Sequence, residues 1–375
     1  MNDTLKYSKY LKDLFFMKKA IKLAQKGKYT THPNPNVGCI IVKNNKIVGT
    51  GWHEKAGSNH AEVNAINMAG KLAKHGTAYI SLEPCNHFGK TPPCCKLIVK
   101  SGITRVVISI LDPNPKVSGQ GIQYLQKHGI QTTVGILSQQ SQKINLGFFK
   151  RMQTGIPWIQ LKMAISIDGK TSMKNGESKW ITSQESINNV HKFRALSSAI
   201  LSTSTTILHD NPILTARYYK KIHNNSYQSY LQPIRIIIDS KNQVQPIHNI
   251  IQNNNGKVWL IRLQKDDKNW PKHVKQIILP QYKKKIHLKK LFKFLGSQGI
   301  NIIWTECGPN LYSKLLNMNL IDELILYIAP KMLGNTAKSL YFSKKNITLS
   351  EVPKFSFQNI KKFGTDIRVI LKPKN

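Results

Sequence analysis

One histidine, one glutamate and two cysteines stand in this sequence at spacings that fit a single piece of chemistry. His60-Ala61-Glu62 is followed by Glu83-Pro84-Cys85 and then by Pro92-Pro93-Cys94. An imidazole and two thiolates are three ligands of the softness that suits Zn²⁺, and they leave a fourth position for water. A site left open in this way is catalytic rather than structural, because water on zinc loses its proton near neutral pH and becomes a nucleophile. Glu62, two residues beyond the imidazole, is placed to take that proton and hand it to a leaving amine. Together the four groups describe hydrolytic deamination. Taken singly, each has an ordinary explanation: a capping histidine, a solvated carboxylate, cysteines buried as small hydrophobes. The ordered set, with proline ahead of each thiolate, points to metal. Cys95 competes with Cys94 as the third ligand. Cys94 is expected, because it follows the proline and should open the next helix, where the N-terminal dipole favours a thiolate.

Elements able to hold these groups are legible around them. Leu14, Met17, Ile21 and Ala24 recur at helical spacing, with Gly27 where a C-terminal cap belongs. Val37 to Val42 and Ile47 to Thr50 flank Asn44-Asn45 as a β-hairpin. A helix is expected over 61–73, a strand over 77–82, a helix over 94–100 and a strand over 105–111. Helix 122–127 and strand 130–134 complete an alternating pattern that implies a helix-covered sheet. The pattern breaks around 146–157, where Gly147, Gly155 and Pro157 surround Lys150-Arg151, and the domain junction is placed there, after residue 150. Beyond it, strands are expected at 158–165, 199–202, 234–238, 258–261, 277–279, 302–305 and 324–328. Helices are expected at 184–196, 288–295 and 310–317, an edge strand at 366–371 and a surface loop at 220–232.

The 375 residues carry 56 Lys plus Arg against 18 Asp plus Glu, a formal charge of +38. Such a balance invites a nucleic-acid reading. Yet the cations are scattered as pairs, with Lys283-Lys284-Lys285 the one triplet, and the chain is also rich in Asn and Ile. Scatter of this kind fits compositional bias better than a phosphate-tracking surface. No run of 18 apolar residues is present, which excludes a membrane-spanning helix, and residues 1–19 lack the features of a secretory signal. Five cysteines, three of them within 85–95, suit a reducing compartment and metal use, so a cytoplasmic location is expected.

The ligand pattern matches the zinc deaminase signature H-x-E…P-C-x-x-C with one departure, since eight residues rather than two separate Cys85 from Cys94. The segments Thr31-His32-Pro33-Asn34-Pro35-Asn36-Val37-Gly38, His60-Ala61-Glu62 and Leu82-Glu83-Pro84-Cys85 through Thr91-Pro92-Pro93-Cys94 resemble the deaminase half of the bifunctional riboflavin-biosynthesis deaminase/reductase family. In that family the long loop between the cysteines is the normal form. The resemblance implies a cytidine-deaminase-like αβα domain over 1–150, with His60, Cys85 and Cys94 on zinc and Glu62 catalytic. Its substrate would be a diaminohydroxypyrimidine carrying a phosphoribosylamino group. Asn34, whose amide offers donor and acceptor together, would bind the pyrimidine, with His53, His87 and Lys90 lining the same pocket and Lys90 suited to the phosphate.

The second half says less on its own. It has no G-x-G-x-x-G, and Glu306-Cys307-Gly308-Pro309 is its nearest glycine feature, a strand-to-helix turn able to hold a phosphate. Ser166-Ile167-Asp168-Gly169-Lys170 and Asp210-Asn211-Pro212 with Leu214-Thr215-Ala216-Arg217 each follow a strand, where α/β sheets place ligands. Bottom-up, these features support a phosphate-containing ligand and no more. Together with Lys162-Met163-Ala164 and Gly176 through Thr182, they are similar to the reductase half of the same family. That implies a dihydrofolate-reductase-like α/β domain over 151–375 that uses NADPH to reduce a ribosyl group to ribityl. By the same analogy Ala164, Trp180, Thr206, Asp210, Ser240 and the turn from Gly308 contact NADPH. Ser178, Arg194, Leu214, Arg217 and Glu306 contact substrate, with Arg194 and Arg217 as a fork for its phosphate. Asp168 is given no chemistry. The partner is then a phosphorylated pyrimidine rather than nucleic acid or membrane, and a homo-oligomer is expected by family analogy alone. The rival reading is a nucleic-acid-editing zinc deaminase with an accessory domain. It would bind oligonucleotides with a steep salt dependence and ignore NADPH.

Overall fold

The computed structural model describes residues 3–88, 92–115, 117–177, 181–218, 230–343 and 348–374. The chain falls into two compact units, Met1–Ile156 and Pro157–Asn375. In the first, chain order runs α1 (Asp3–Ala24), β1 (Gly38–Lys43), β2 (Lys46–Trp52), α2 (Ala61–Ala69), β3 (Thr77–Ile80), α3 (Cys94–Lys100) and β4 (Arg105–Ile108). It continues through α4 (Gln120–Lys127), β5 (Gln131–Val134), α5 (Ser138–Lys143) and α6 (Leu146–Thr154). The sheet order is β2-β1-β3-β4-β5, with β1 antiparallel to both neighbours and the other pairs parallel.

Strand periodicity splits the core into two layers. Ile40 and Val42 of β1 face Phe16, Met17, Ala20 and Ile21 of α1, whereas Cys39 and Ile41 face Ala61 and Ala65 of α2, Ile98 of α3 and Leu125 of α4. The result is an αβα sandwich. Asn44 and Asn45 both adopt positive φ, at 50° and 59°, as a two-residue hairpin turn requires. The expected break around 146–157 is instead a helix, α6. Glycines beside a basic pair resemble a linker, but burial of Phe148 and Phe149 against Leu82 folds this stretch onto the first unit. The chain therefore divides after Ile156, with Gly155 ending the helix at φ 71°.

The second unit begins with β6 (Trp158–Ser166), β7 (Lys170–Ser172), α7 (Gln184–Leu196), β8 (Ala199–Thr203), α8 (Ser204–Asp210) and β9 (Ile234–Ile238). Next come α9 (Asn249–Gln252), β10 (Val258–Arg262), β11 (Val274–Ile278), β12 (Gln281–Tyr282), β13 (Lys285–Ile286) and α10 (Leu288–Ser297). It closes with β14 (Ile302–Glu306), α11 (Pro309–Asn317), β15 (Glu323–Ala329), β16 (Lys338–Ser339), β17 (Phe355–Phe363) and β18 (Asp366–Pro373). Nine strands form one sheet in the order β11-β10-β9-β8-β14-β6-β15-β18-β17. It is parallel as far as β15 and antiparallel across β18 and β17.

The segment at 366–371 is not an edge strand. It is β18, paired on both sides, and the edge belongs to β17, which alternation did not reveal because its residues are mostly exposed and none is buried. Most of the expected loop at 220–232 lies outside the described residues. Insertion of β14 between β8 and β6 reverses the direction in which strands are added, and α/β sheets bind ligands at the carboxyl ends beside such a reversal.

Candidate active sites

The metal-ligand candidates converge. His60 Nδ1 lies 3.2 Å from Cys94 Sγ and 3.7 Å from Cys85 Sγ, and the three ligand atoms all fall within 4.8 Å of one another. A tetrahedral zinc with Zn–S of about 2.3 Å and Zn–N of about 2.0 Å separates its N and S ligands by about 3.5 Å, so donor set and spacing both fit Zn²⁺. His60 caps α2 and Cys94 is the first residue of α3. The Cys94 backbone N–H donates to Cys85 Sγ at 3.4 Å, and hydrogen bonds from Cys94 and His60 pull the Cys85 thiol well below its ordinary range. Cys95 is excluded from the cluster, because its thiol turns away to donate to the Pro84 and Gly121 carbonyls at 3.4 and 3.6 Å.

Glu62 lies in the first turn of α2 and is 4% exposed. Burial pushes its carboxyl up to about 7, against which His60 and a hydrogen bond from Cys94 pull it down. Two residues from His60 and buried, this carboxyl is placed to accept and return a proton. The helix reaches this position because β2 has glycine beneath it: a Cβ on Gly51 would sit 2.3 Å from the Ala61 carbonyl.

On the loop before β1, Asn34 Nδ2 donates to His53 Nε2 at 3.0 Å, while His53 Nδ1 bonds the Asn59 carbonyl at 3.0 Å. These bonds assign His53 as the neutral tautomer with its proton on Nδ1, consistent with the lowering of its pKa by burial. The Asn34 carbonyl is left as the group offered to a ligand. His87 is exposed, and Lys90 lies outside the described residues.

Sequence reasoning missed the residues that hold this frame. The Glu83 carboxylate, 4% exposed, accepts from the backbone N–H groups of Asp112, Gly119 and Gly121 at 3.2, 3.1 and 3.1 Å, tying the Cys85 loop to the start of α4. Asn145 and Asn36 bond reciprocally, at 2.7 and 2.9 Å, and pin the Asn34 loop to the turn before α6. The Glu-Pro-Cys order was a signal for Glu83. Nothing local marked Asn145.

In the second unit, residues assigned to NADPH gather at the carboxyl ends of adjacent parallel strands. Ala164 is near the end of β6, Thr206 is in α8 after β8, Ser240 follows β9, and Gly308 caps α11 after β14. A Cβ on Gly308 would meet nothing within 4 Å, so the space before this helix start is open. Asp210 is exposed at the end of α8. Ser178 and Trp180 lie outside the described residues. Asp168 clamps a loop, accepting from Ser166 and from the N–H groups of Leu333 and Gly334, and those bonds hold it at about 2.

Arg194 requires a correction. Its Nε and Nη2 donate to both Glu306 oxygens, at 2.6 and 2.9 Å, and Nη1 donates to the Thr215 carbonyl at 3.0 Å. Three of its five N–H donors are committed and its charge is matched, so it is not one tine of a free phosphate fork. Burial would raise the Glu306 carboxyl, but Arg194, Lys162 and the Trp304 indole N–H outweigh it and hold the group at about 2. Arg217 is exposed, and Leu214 is buried at φ 56°.

A family model described as the RibD C-terminal domain matches residues 157–369, and one described as the cytidine and deoxycytidylate deaminase zinc-binding region matches residues 11–110. Riboflavin biosynthesis protein RibD of Buchnera aphidicola subsp. Baizongia pistaciae is 56% identical over 371 residues, covering 97% of this chain and all of that protein. The chain belongs to the RibD family. It is a bifunctional deaminase/reductase of riboflavin biosynthesis, which decides against the editing deaminase. RibD of Acinetobacter baumannii superposes with a TM-score of 0.88 at 36% identity, over 98% of this chain and all of that one. A diaminohydroxyphosphoribosylaminopyrimidine deaminase/5-amino-6-(5-phosphoribosylamino)uracil reductase of Thermotoga maritima superposes with a TM-score of 0.83 at 31% identity, over 97% and 99%. Zinc and NADPH are the cofactors of the two RibD halves. Among the described residues, no helix is long and apolar enough to cross a membrane.

Proposed function

We propose that the first unit hydrolyses the ring amine of 2,5-diamino-6-(5-phosphoribosylamino)pyrimidin-4-one and that the second reduces the ribosyl group of the resulting uracil. The observation that carries the first step is the juxtaposition of His60, Cys85 and Cys94 with a buried Glu62. Zinc, held by those three residues, would supply a water acidic enough to lose its proton near neutral pH. Glu62 accepts that proton and returns it to the amine, so that water and the C–NH₂ carbon give a C=O and ammonia. Asn34, oriented by neutral His53, hydrogen-bonds the ring edge and fixes which carbon faces the metal. His87 and Lys90 complete the substrate loop.

In the second unit Ala164, Thr206, Ser240 and the Gly308 turn, with Trp180 and Asp210, hold NADPH. Leu214, Arg217, Ser178 and the Arg194–Glu306 pair receive the pyrimidine. Because Glu306 matches the Arg194 charge, Arg217 carries the phosphate. Hydride comes from the cofactor, and the protein aligns donor and acceptor carbons. The partner is a small anion in the cytoplasm rather than nucleic acid, in keeping with the scattered distribution of charge.

The test follows ammonia release and NADPH absorbance separately on the diaminopyrimidine phosphate. Ammonia should appear without NADPH, and NADPH should be consumed only after ammonia. With Glu62→Gln both signals should stop on this substrate, yet NADPH oxidation should persist when the deaminated uracil is supplied. NADPH oxidation without prior ammonia release would reverse the proposed order.

A further inference from the structure

The segment Leu214–Arg217 is held in a way that burial alone does not require. Leu214 is 3% exposed and sits at φ 56°, a left-handed conformation that costs a branched side chain about 1 kcal/mol or more. Such strain persists where neighbours over-determine the backbone. Here side chains supply the partners that another strand would. Gln232 brackets Ala216, its Oε1 accepting from the Ala216 N–H at 3.1 Å and its Nε2 donating to the Ala216 carbonyl at 2.9 Å. The Tyr230 hydroxyl donates to the same carbonyl at 3.0 Å and accepts from the Tyr218 N–H at 3.3 Å. From the opposite direction in sequence, His191 of α7, 5% exposed, accepts the Arg217 N–H on Nδ1 at 3.2 Å. Arg194 holds the neighbouring Thr215 carbonyl at 3.0 Å.

We infer that His191 and Gln232 are positioning residues of the reductase half, fixing the backbone of Thr215–Arg217 and thereby the point at which Leu214 and Arg217 meet the pyrimidine phosphate. The inference rests on the reading that Leu214 and Arg217 contact substrate. A ring buried beside two arginines is kept neutral, so Nδ1 stays available as an acceptor; burial first, then Arg194 and Arg217, lower the His191 pKa to about 4. Neither residue needs to touch substrate. Misplacing the Arg217 backbone by a fraction of an ångström weakens a charge-assisted contact that depends on geometry.

The test uses the zinc-loaded full chain with 5-amino-6-(5-phosphoribosylamino)uracil, reading KM for each substrate and kcat from NADPH absorbance. His191→Ala and Gln232→Ala should each raise the KM for the uracil phosphate about tenfold, with KM for NADPH unchanged and kcat within about twofold. His191→Asn, whose amide oxygen can take the place of Nδ1, should restore most of the loss. Gln232→Glu keeps the acceptor for the Ala216 N–H but loses the donor, and should fall between wild type and Gln232→Ala. If the alanine variants do not fold, the Asn and Glu variants decide alone: a normal uracil-phosphate KM for Gln232→Glu would overturn the inference. So would an equal rise in both KM values, which a merely structural role produces. Arg217→Ala separates the two layers. If it raises the uracil-phosphate KM while His191→Ala and Gln232→Ala do not, positioning fails and the substrate reading stands. If Arg217→Ala changes nothing, the substrate reading fails and takes the inference with it.

Discussion

The two sites of this chain are built from different materials. The deaminase site is made of side chains that do chemistry themselves: a soft His/Cys ligand set and a buried acid. The candidate reductase site lies at the carboxyl ends of adjacent parallel strands, and there the reactive atom arrives with the cofactor. Side-chain chemistry restricts residue identity and so leaves a mark in sequence. Backbone positioning restricts conformation, which many sequences satisfy. The side chains inferred to hold the reductase backbone, His191 and Gln232, are found by their partners rather than by their type.

This contrast can be broken most directly at the metal. Cys94→Ser should abolish stoichiometric zinc and deamination while reduction of the deaminated uracil continues. Cys95→Ser should retain zinc, since the Cys95 thiol faces the Pro84 and Gly121 carbonyls instead. Metal analysis beside the two assays checks both, and zinc loss in Cys95→Ser with retention in Cys94→Ser would exchange the ligands. Next in size is Glu62→Gln, which keeps shape and removes the proton carrier. Deamination should drop by roughly 10²–10⁴-fold with zinc content unchanged. Normal ammonia release from this variant would remove Glu62 from the mechanism.

How much could be read in advance follows the same division. The hairpin at Asn44-Asn45 was legible because both residues tolerate positive φ, and the helix Cys94–Lys100 because proline precedes it and Ser101-Gly102 ends it. The ligand set was legible because zinc chemistry demands it. What was not legible depended on partners far away in sequence. Helix α6 was not anticipated in the junction region because its glycines are local and the burial of Phe148 and Phe149 against Leu82 is not. Arg194 was taken as free to grip phosphate because Glu306 lies 112 residues on. His191 and Gln232 carried no signal at all, since their acceptors and donors are backbone atoms of another segment.

Arg194 and Arg217 sharpen the comparison within the reductase unit itself. Side-chain exposures of 11% for Arg194 and 15% for Glu306 make theirs a largely buried pair. Arg194→Ala would strand a buried carboxylate with only Lys162 and Trp304 for company, and the expected cost is about 3 kcal/mol in unfolding free energy. Arg217 is exposed, so Arg217→Ala should change stability by less than about 0.5 kcal/mol while raising the uracil-phosphate KM. Urea unfolding followed by tryptophan fluorescence reads this unit selectively, because Trp52 is the one tryptophan in the first unit and the other five lie in the second. Equal stability of the two variants would mean that the Arg194–Glu306 pair is not a structural unit.

The smallest effect is a matter of sign. His191 titrates at about 4 in the folded protein against 6.5 when free, so between those values the unfolded chain holds one more proton than the folded one. Stability from this group is complete above about 6.5 and is lost as pH falls toward 4, at up to about 1.4 kcal/mol per pH unit. Glu306, held at about 2 against 4.5, extends the same loss to lower pH. The deaminase unit carries the opposite device. Burial raises Asp112 to about 6 against 3.8, so its folded form takes the proton first and its contribution grows as pH falls from about 6 to 4. Wild type should therefore lose about 2 kcal/mol more than His191→Asn in the tryptophan-reported transition between pH 7 and 4.5. Both proteins share Glu306, so its titration cancels in the comparison. Parallel stability curves would show that His191 is solvated in the folded state. The ring could then not serve as a fixed acceptor for Arg217, and the reductase loop would owe its conformation to Gln232 and Tyr230 alone.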